Sequence, residues 1–109
     1  MGTLKWQNGD VYVGQWKNDQ ENGQGKLTKK EGDVFEGNFK NGNVEGEVII
    51  HYANGSKFRG VYKNGKRYGK AIEVYKAGNR FEGNYNDDVR DGKYVEKDRN
   101  GNIVSEGTY

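Results

Sequence analysis

The chain has 109 residues, enough for one domain, and its 18 basic and 16 acidic residues leave a net charge of +2 at pH 7. It contains no cysteine, which excludes a disulfide framework and a thiolate metal site. Aromatic residues make up 13% of the chain, so we expect an ordered fold with a thin, aromatic-rich core.

The first residues, MGTLKWQNGD, lack the basic and apolar regions of a signal peptide. No apolar run in the sequence approaches the ~18–20 residues that a membrane-spanning helix needs. We therefore expect a soluble, cytoplasmic protein, with association to a membrane or to the cytoskeleton as the alternative.

From Tyr12 onward, the pattern aromatic-x-Gly-x-aromatic occurs four times, and its glycines recur every 23 residues. These glycines are Gly14, Gly37, Gly60 and Gly83. Two further glycine columns keep the same step: Gly9, Gly32, Gly55, Gly78 and Gly101, and Gly23, Gly46, Gly69 and Gly92. A fixed period of this length indicates a repeat protein. We place its units at about 6–28, 29–51, 52–74 and 75–97, with a partial unit at 98–109, in a single repeat domain over 1–109.

Each unit contains a first turn at the earliest of its glycines. Gly9, Gly55 and Gly101 follow asparagine, and Asn-Gly is a strong hairpin signal because both residues tolerate positive φ. A three-residue loop at 53–55 would place Ile50 on the same sheet face as Phe58, whereas a two-residue loop would set Phe58 beside His51. We favour the three-residue loop.

A second reversal follows each aromatic pair on the same 23-residue step. It lies at Asn18-Asp19, Asn41-Gly42, Asn64-Gly65 and Asp87-Asp88. Each unit therefore contributes two short antiparallel strands, and no stretch shows helical periodicity. The prediction is an all-β fold: an elongated, twisted antiparallel meander of repeated β-hairpins in a single sheet, without substantial helix.

The glycine between the two aromatic residues is predicted to point to the face that carries the rings. A side chain there would fill the space into which rings from an adjacent strand lean. We therefore interpret the rings and glycines as structural and the intervening charges as solvent-facing.

These motifs resemble the MORN repeat (membrane occupation and recognition nexus). The resemblance is carried by FEGNFKNGNVEG at 35–46, FRGVYKNGKRYG at 58–69 and VYVGQWKNDQENGQG at 11–25, and it covers nearly the whole chain. The second glycine of the family's paired G-x-G is present as Gly25 and replaced by Val48, Ala71 and Tyr94 in later units. The last residues, DRNGNIVSEGTY, resemble a variant repeat common in bacterial proteins.

The resemblance implies a non-catalytic scaffold, or a regulatory arm beside the catalytic domain of a larger enzyme. Chemistry within the chain does not favour catalysis, because His51 is the only histidine and no nucleophile pairs with it. Asp87, Asp88 and Asp91 are predicted to accept hydrogen bonds from backbone amides in a turn, which we favour over a calcium or magnesium site. We predict no enzyme activity, no cofactor and no metal.

Two binding functions remain, and protein binding is favoured. We expect one sheet face to form an aromatic groove for a protein partner, unless its rings simply pack on one another. The predicted groove residues are Tyr52, Phe58, Tyr62, Tyr75, Phe81 and Tyr85. The terminal segments, with Leu4, Trp6, Ile103, Val104 and Tyr109, suggest self-association into a dimer or a longer array by strand addition.

The alternative is binding of anionic phospholipid, such as a phosphoinositide, through a basic cluster in the third unit. Its residues are Lys57, Arg59, Lys63, Lys66, Arg67 and Lys70. The competing interpretation is ordinary solvation, because Glu36, Glu45 and Glu47 lie in the neighbouring unit and weaken the positive field. Nucleic acid is not expected as a partner, since acidic and basic residues alternate along the chain.

Overall fold

The structure is a computed structural model that describes residues 2–109. These residues form 12 β-strands in one antiparallel sheet, and none of them is helical. The strands are β1 (Gly2–Lys5), β2 (Val11–Lys17), β3 (Gln20–Thr28), β4 (Val34–Lys40), β5 (Asn43–His51), β6 (Lys57–Lys63), β7 (Lys66–Arg67), β8 (Gly69–Val74), β9 (Arg80–Asn86), β10 (Val89–Arg90), β11 (Lys93–Lys97) and β12 (Ile103–Thr108).

The strands follow one another across the sheet in chain order. β7 and β8 both pair with β6, and β10 and β11 both pair with β9, so each of these pairs replaces one continuous strand of the earlier units. The molecule measures 45 × 25 × 20 Å. Strands spaced about 4.8 Å apart account for its long dimension. The predicted elongated, single-sheet meander is confirmed.

The three-residue loop in the third unit is also confirmed. The Tyr52 amide donates to the Ser56 carbonyl at 2.9 Å, and the Gly55 amide donates to the Tyr52 carbonyl at 3.0 Å. Gly55 has φ of +93°, the left-handed conformation that glycine adopts without steric cost. Across this loop Ile50 lies opposite Phe58, as the favoured register requires.

The second set of turns has positive φ at both central residues. Asn64 has φ of +54° and Gly65 of +78°, and the flanking Lys63 and Lys66 are paired. The same signs occur at Asp87 and Asp88. These are the signs of type I′ turns, whose twist matches that of the strands they join.

Successive three-residue loops stack along one long edge of the sheet. A Cβ atom added at Gly55 would lie 3.2 Å from Cγ of Lys76 in the next loop, and one added at Gly32 would lie 3.2 Å from Cβ of Ala53. In addition, Oδ1 of Asp33 accepts a hydrogen bond from the Ala53 amide at 2.8 Å. This glycine column therefore serves both the loop conformation and the contact between loops.

In the third and fourth units, the glycine between the aromatic residues lies beneath a ring, whereas Gly37 of the second unit lies against the backbone of Glu47 and Val48. A Cβ atom at Gly60 would lie 2.7 Å from Cζ of Phe58, and one at Gly83 would lie 2.6 Å from Cζ of Phe81. Here the ring comes from the same strand, two residues earlier, whereas we expected a ring from an adjacent strand. The reason is that residues i and i+2 of a strand share a face, so a ring can lean along its own strand over bare backbone.

We predict that Gly60→Ala lowers the free energy of unfolding by about 1–3 kcal/mol, because its methyl group must displace the Phe58 ring from a packed position. Gly60 does not have positive φ, so the substitution adds no left-handed backbone strain to the steric conflict. Urea unfolding measures the change. The control is Gly65→Asn, which has open space around it and a backbone conformation that asparagine tolerates. Equal stability of Gly60→Ala and the unsubstituted protein would contradict this account of the glycine.

Candidate binding surfaces

Successive strand residues point to opposite sides of the sheet, so its two faces carry different sets of residues. The aromatic face carries the rings and the fully buried residues. Those buried residues are Tyr12, Phe39, Val48, Ile50, Phe58, Ala71, Phe81 and Tyr85. The opposite face, here called the open face, carries none of them.

The six residues of the predicted aromatic groove all lie on the aromatic face. Phe58, Phe81 and Tyr85 are buried, whereas Tyr52, Tyr62 and Tyr75 are half-buried. The rings pack edge to face, with 6.0 Å between the centroids of Phe58 and Tyr62 and 6.1 Å between those of Phe58 and Tyr85. Burial raises the pKa of the Tyr52 hydroxyl to about 12. A partner on this face would contact mainly the three half-buried tyrosines, and this groove stays a prediction.

Arg90 covers the buried Phe81 on the aromatic face, a contact that was not predicted from the sequence. Its guanidinium carbon lies 3.8 Å from the Phe81 ring centroid, and its Nη2 donates to Tyr75 Oη at 2.7 Å and to Glu73 Oε2 at 3.3 Å. Burial opposes the charge of Arg90, but hydrogen bonds to tyrosine hydroxyls, those of Tyr85 and Tyr109 foremost, outweigh it and raise the pKa. The strand register would have indicated this contact, because it places the carboxylate of Glu73 among the rings, opposite both Phe58 and Phe81, where a basic partner such as Arg90 is expected.

Arg67 is separated from the other residues of the predicted lipid-binding cluster. It lies on the aromatic face, where its Nε donates to Asp88 Oδ1 at 2.7 Å and its guanidinium carbon lies 4.6 Å from the Tyr85 ring centroid. The same Asp88 oxygen accepts the Arg67 amide at 3.0 Å. These hydrogen bonds, led by that from the side chain, lower the pKa of Asp88.

The other five cluster residues lie on the open face, which holds a large excess of positive charge. The strand positions of this face hold 12 of the 18 basic residues of the chain and 5 of its 16 acidic residues. The basic residues are Lys5, Lys17, Lys26, Lys40, Lys57, Arg59, Lys63, Lys66, Lys70, Arg80, Lys93 and Lys97, and the acidic residues are Glu36, Glu45, Glu47, Glu82 and Glu106. Half of the acidic residues lie instead in loops and turns.

A groove of about 680 Å³ crosses the middle of the open face. Its lining contains four apolar residues, here called the apolar strip, and six charged residues that lie among and beside them. The strip consists of Ile49, Val61, Ile72 and Val95; the charged residues are Glu36, Glu47, Arg59, Lys70, Glu82 and Lys93. Arg59 lies between Ile49 and Ile72 across the strands, and Glu82 lies between Ile72 and Val95. This groove could not be predicted from the sequence, because alternation along each strand predicts which residues share a face but not which face of a twisted sheet is concave.

Residues considered for chemistry are dispersed in the structure. His51 is exposed, and its Nε2 lies 4.0 Å from Glu36 Oε1. Within the part of the chain described, no three His, Asp or Glu side chains come together as a metal site would require. Nor do residues 2–109 include a helix with the length and apolar character needed to cross a membrane.

Comparison with family models agrees with this architecture. The model of the MORN repeat matches four consecutive segments, 12–34, 35–57, 58–80 and 81–103. The chain belongs to the MORN repeat family. These segments keep the 23-residue step of our units and begin at a different point of the repeat. Among curated proteins, no significant match is found.

MORN repeats are generally associated with interactions with proteins or membrane lipids, and the family is generally non-catalytic. The likeness of residues 98–109 to a bacterial variant repeat stays a prediction. So does the division of the MORN units at the boundaries that we placed from the sequence.

We predict that acid weakens this MORN protein partly through Asp88. Its pKa is lowered in the folded state, so its contribution to stability is complete above the unfolded value near 3.8 and is lost as the pH falls through the folded value. Asp88→Asn should therefore reduce stability at neutral pH and flatten the decline below about pH 4. Urea midpoints at several pH values measure this. Asp87→Asn in the same turn is the matched control, and an identical pH profile for both variants would contradict the prediction.

Proposed function

We propose that this MORN protein is a non-catalytic scaffold that binds another protein through its open face. The observation that carries the proposal is that the structure leaves one whole face of a single-layer sheet uncovered, with the groove at its centre. The general association of MORN repeats with protein and lipid binding is consistent with this role. A location in the cytoplasm, or at a membrane or the cytoskeleton, is part of the same proposal.

Exposed apolar surface in the groove provides a physical reason for a partner to bind. Ile72 is 38% exposed, although it lies in the middle of the sheet between Arg59 and Glu82 on the neighbouring strands. Covering such surface stabilises a complex by about 25 cal/mol per Å². On the aromatic face, five rings are already buried and therefore present little surface to a partner: Tyr12, Phe39, Phe58, Phe81 and Tyr85.

Site-specific photo-crosslinking tests the proposal in cells that express the protein naturally. We expect a p-benzoylphenylalanine residue at Ile72 to form discrete adducts that mass spectrometry identifies as protein. The same residue at Ala77, exposed in a loop on the sheet edge, is the control and should not form those adducts. Adducts to lipid or nucleic acid alone, or no adduct specific to Ile72, would contradict protein binding at the open face.

Self-association is the form of protein binding that the β12 edge favours. Ile103 and Val104 are 58% and 62% exposed, and among residues 2–109 no strand pairs with the outer side of β12. An unpaired apolar edge accepts a strand from another molecule. The same crosslinker at Val104 tests this arrangement. An adduct with a second copy supports it, and a protein that forms no adduct with itself at any concentration contradicts it.

Binding of anionic phospholipid is the second candidate. The observation that favours it is the position of Lys57, Arg59, Lys63, Lys66 and Lys70 on one face. Basic residues near an anionic bilayer contribute about 1 kcal/mol each. Lys63 and Lys66 flank a turn at the long edge of the sheet, where a flat membrane can reach them.

Sedimentation with vesicles tests the lipid candidate. If it is right, vesicles containing phosphatidylserine and a phosphoinositide pellet the protein at low salt, and the combined change Lys63→Glu and Lys66→Glu reduces the bound fraction severalfold. Vesicles of phosphatidylcholine alone are the lipid control. Lys76→Glu with Arg99→Glu, which changes the charge equally at the loop edge, is the protein control. Unchanged pelleting of the Lys63/Lys66 variant would rule out this face as the lipid site.

A further inference from the structure

The net charge of +2 conceals a strong separation of charge within the molecule. The open face carries the excess of basic residues described above, while the carboxylates are concentrated along the two edges. Clustered charge of one sign raises the local concentration of oppositely charged partners and speeds their association. The open face is therefore prepared for a partner with negative charge.

Most of the open-face cations are not neutralised by neighbours. Within residues 2–109, only Arg80 and Lys97 of this set lie within ion-pair distance of a carboxylate, at 3.8 Å and 3.0 Å from Glu82 Oε2. Arg59, Lys70 and Lys93, which flank the groove, make no such pair in the part of the chain described. All three are exposed. Their charges remain available to a ligand.

The groove also contains features that a dense polyanion would not match. Glu36 and Glu47 lie at its β4–β5 end, Glu82 lies between Ile72 and Val95, and the apolar strip alternates with the charged residues. A phosphodiester backbone, with a negative charge on every nucleotide, would meet these three carboxylates. Among residues 2–109, the one aromatic residue at the groove wall is Tyr94, whose ring stacks on Phe81 at 5.9 Å on the other face. Bases would therefore find no ring on which to stack.

The concave shape of the groove argues against a membrane as its ligand. A flat bilayer would touch the rims and leave Ile49 and Ile72 uncovered. A protein segment can instead enter the groove, pack apolar side chains on the apolar strip, and form ion pairs between its carboxylates and the basic side chains of the groove. Such matching of charge and apolar surface gives both specificity and fast association.

We propose that the groove binds an acidic amphipathic segment of a partner protein, with its carboxylates opposite Arg59, Lys70 and Lys93 and its apolar residues on the Ile49–Ile72 strip. This inference rests on the proposed function and names the chemistry of its partner. The segment's acidic residues lie toward the β6–β11 part of the groove, where Glu82 is already paired with Arg80 and Lys97, and neutral or basic residues lie toward Glu36 and Glu47.

Fluorescence anisotropy with labelled synthetic peptides tests the inference. The probe is a peptide of alternating Glu-rich and Leu-rich positions; two matched peptides replace every Glu by Lys or every Leu by Ser. We expect the acidic amphipathic peptide to bind most tightly and to weaken as salt rises from about 50 to about 300 mM. Binding of the Lys peptide with equal or greater affinity would overturn the inference.

Charge reversal in the groove locates the site. Arg59→Glu combined with Lys70→Glu should raise the Kd for the acidic peptide about tenfold or more. Both side chains are exposed and outside the buried core, and circular dichroism confirms that the variant folds. The control, Lys76→Glu with Arg99→Glu, makes the same change in net charge on the loop edge and should leave the Kd within about twofold. Equal weakening in both variants would overturn the assignment to the groove.

Two further ligands separate the competing partners. A single-stranded DNA oligomer or phosphatidylserine vesicles that displace the acidic peptide, and bind more tightly than it does, would overturn the inference in favour of that class. A crosslinked partner at Ile72 whose contacting segment lacks acidic residues would also overturn it, while leaving the proposed scaffold function intact. The absence of any protein adduct there would contradict both.

Discussion

The structure depends on contact between aromatic rings and backbone that has no side chain. Phe58 lies over Gly60 and Phe81 over Gly83, at distances that leave no room for a Cβ atom. A single-layer sheet has no second layer to cover its rings, so it must bury them against itself. Glycine makes this possible, because it lets a ring descend onto the strand and reach the close packing of a protein interior.

This arrangement assigns the two faces different tasks. The buried apolar residues that stabilise the fold all lie on the aromatic face. Arg90 covers part of this face and donates hydrogen bonds to Glu73 and Tyr75. The open face contains none of the fully buried apolar residues and so contributes little to the packing that stabilises the fold. Its charges do not hold the fold together, because few of them form ion pairs and exposed pairs contribute little. They are therefore available for recognition.

The elements that could be predicted from the sequence are those governed by local backbone chemistry. Tight turns require residues that tolerate positive φ, and Asn-Gly provides them, so the loop at 53–55 and the turn at 64–65 could be located from the sequence. The length of the loop at 53–55 then predicted that Ile50 lies opposite Phe58. What could not be predicted depends on the summed twist of many strands. The concavity of the open face is such a property, and so is the burial of Phe58 and Phe81 to 1% and 0% exposure.

The basic cluster shows a different limit. Grouping residues by proximity along the chain put Lys66 beside Arg67, yet neighbouring strand residues point to opposite faces, and the structure places Arg67 against Tyr85 and Lys66 in solvent. The alternation was readable once the turn at 64–65 had been located. The full extent of the positive face emerges only when the registers of all strands are combined, since its basic residues come from all four complete units.

The stacking of each loop on the next has a consequence for how such a molecule changes length in evolution. Contacts run almost wholly between neighbouring strands, and each loop meets its successor through the same pair of positions. A gene duplication that inserts 23 residues adds one repeat unit and lengthens the sheet by about 10 Å, and it preserves every existing contact between neighbouring loops. An insertion within a strand that is not a multiple of 23 residues shifts the pairing register, unless a β-bulge like those in this sheet absorbs it. The repeat array can thus be lengthened or shortened by whole repeat units, and each added unit contributes its own charged residues to the open face.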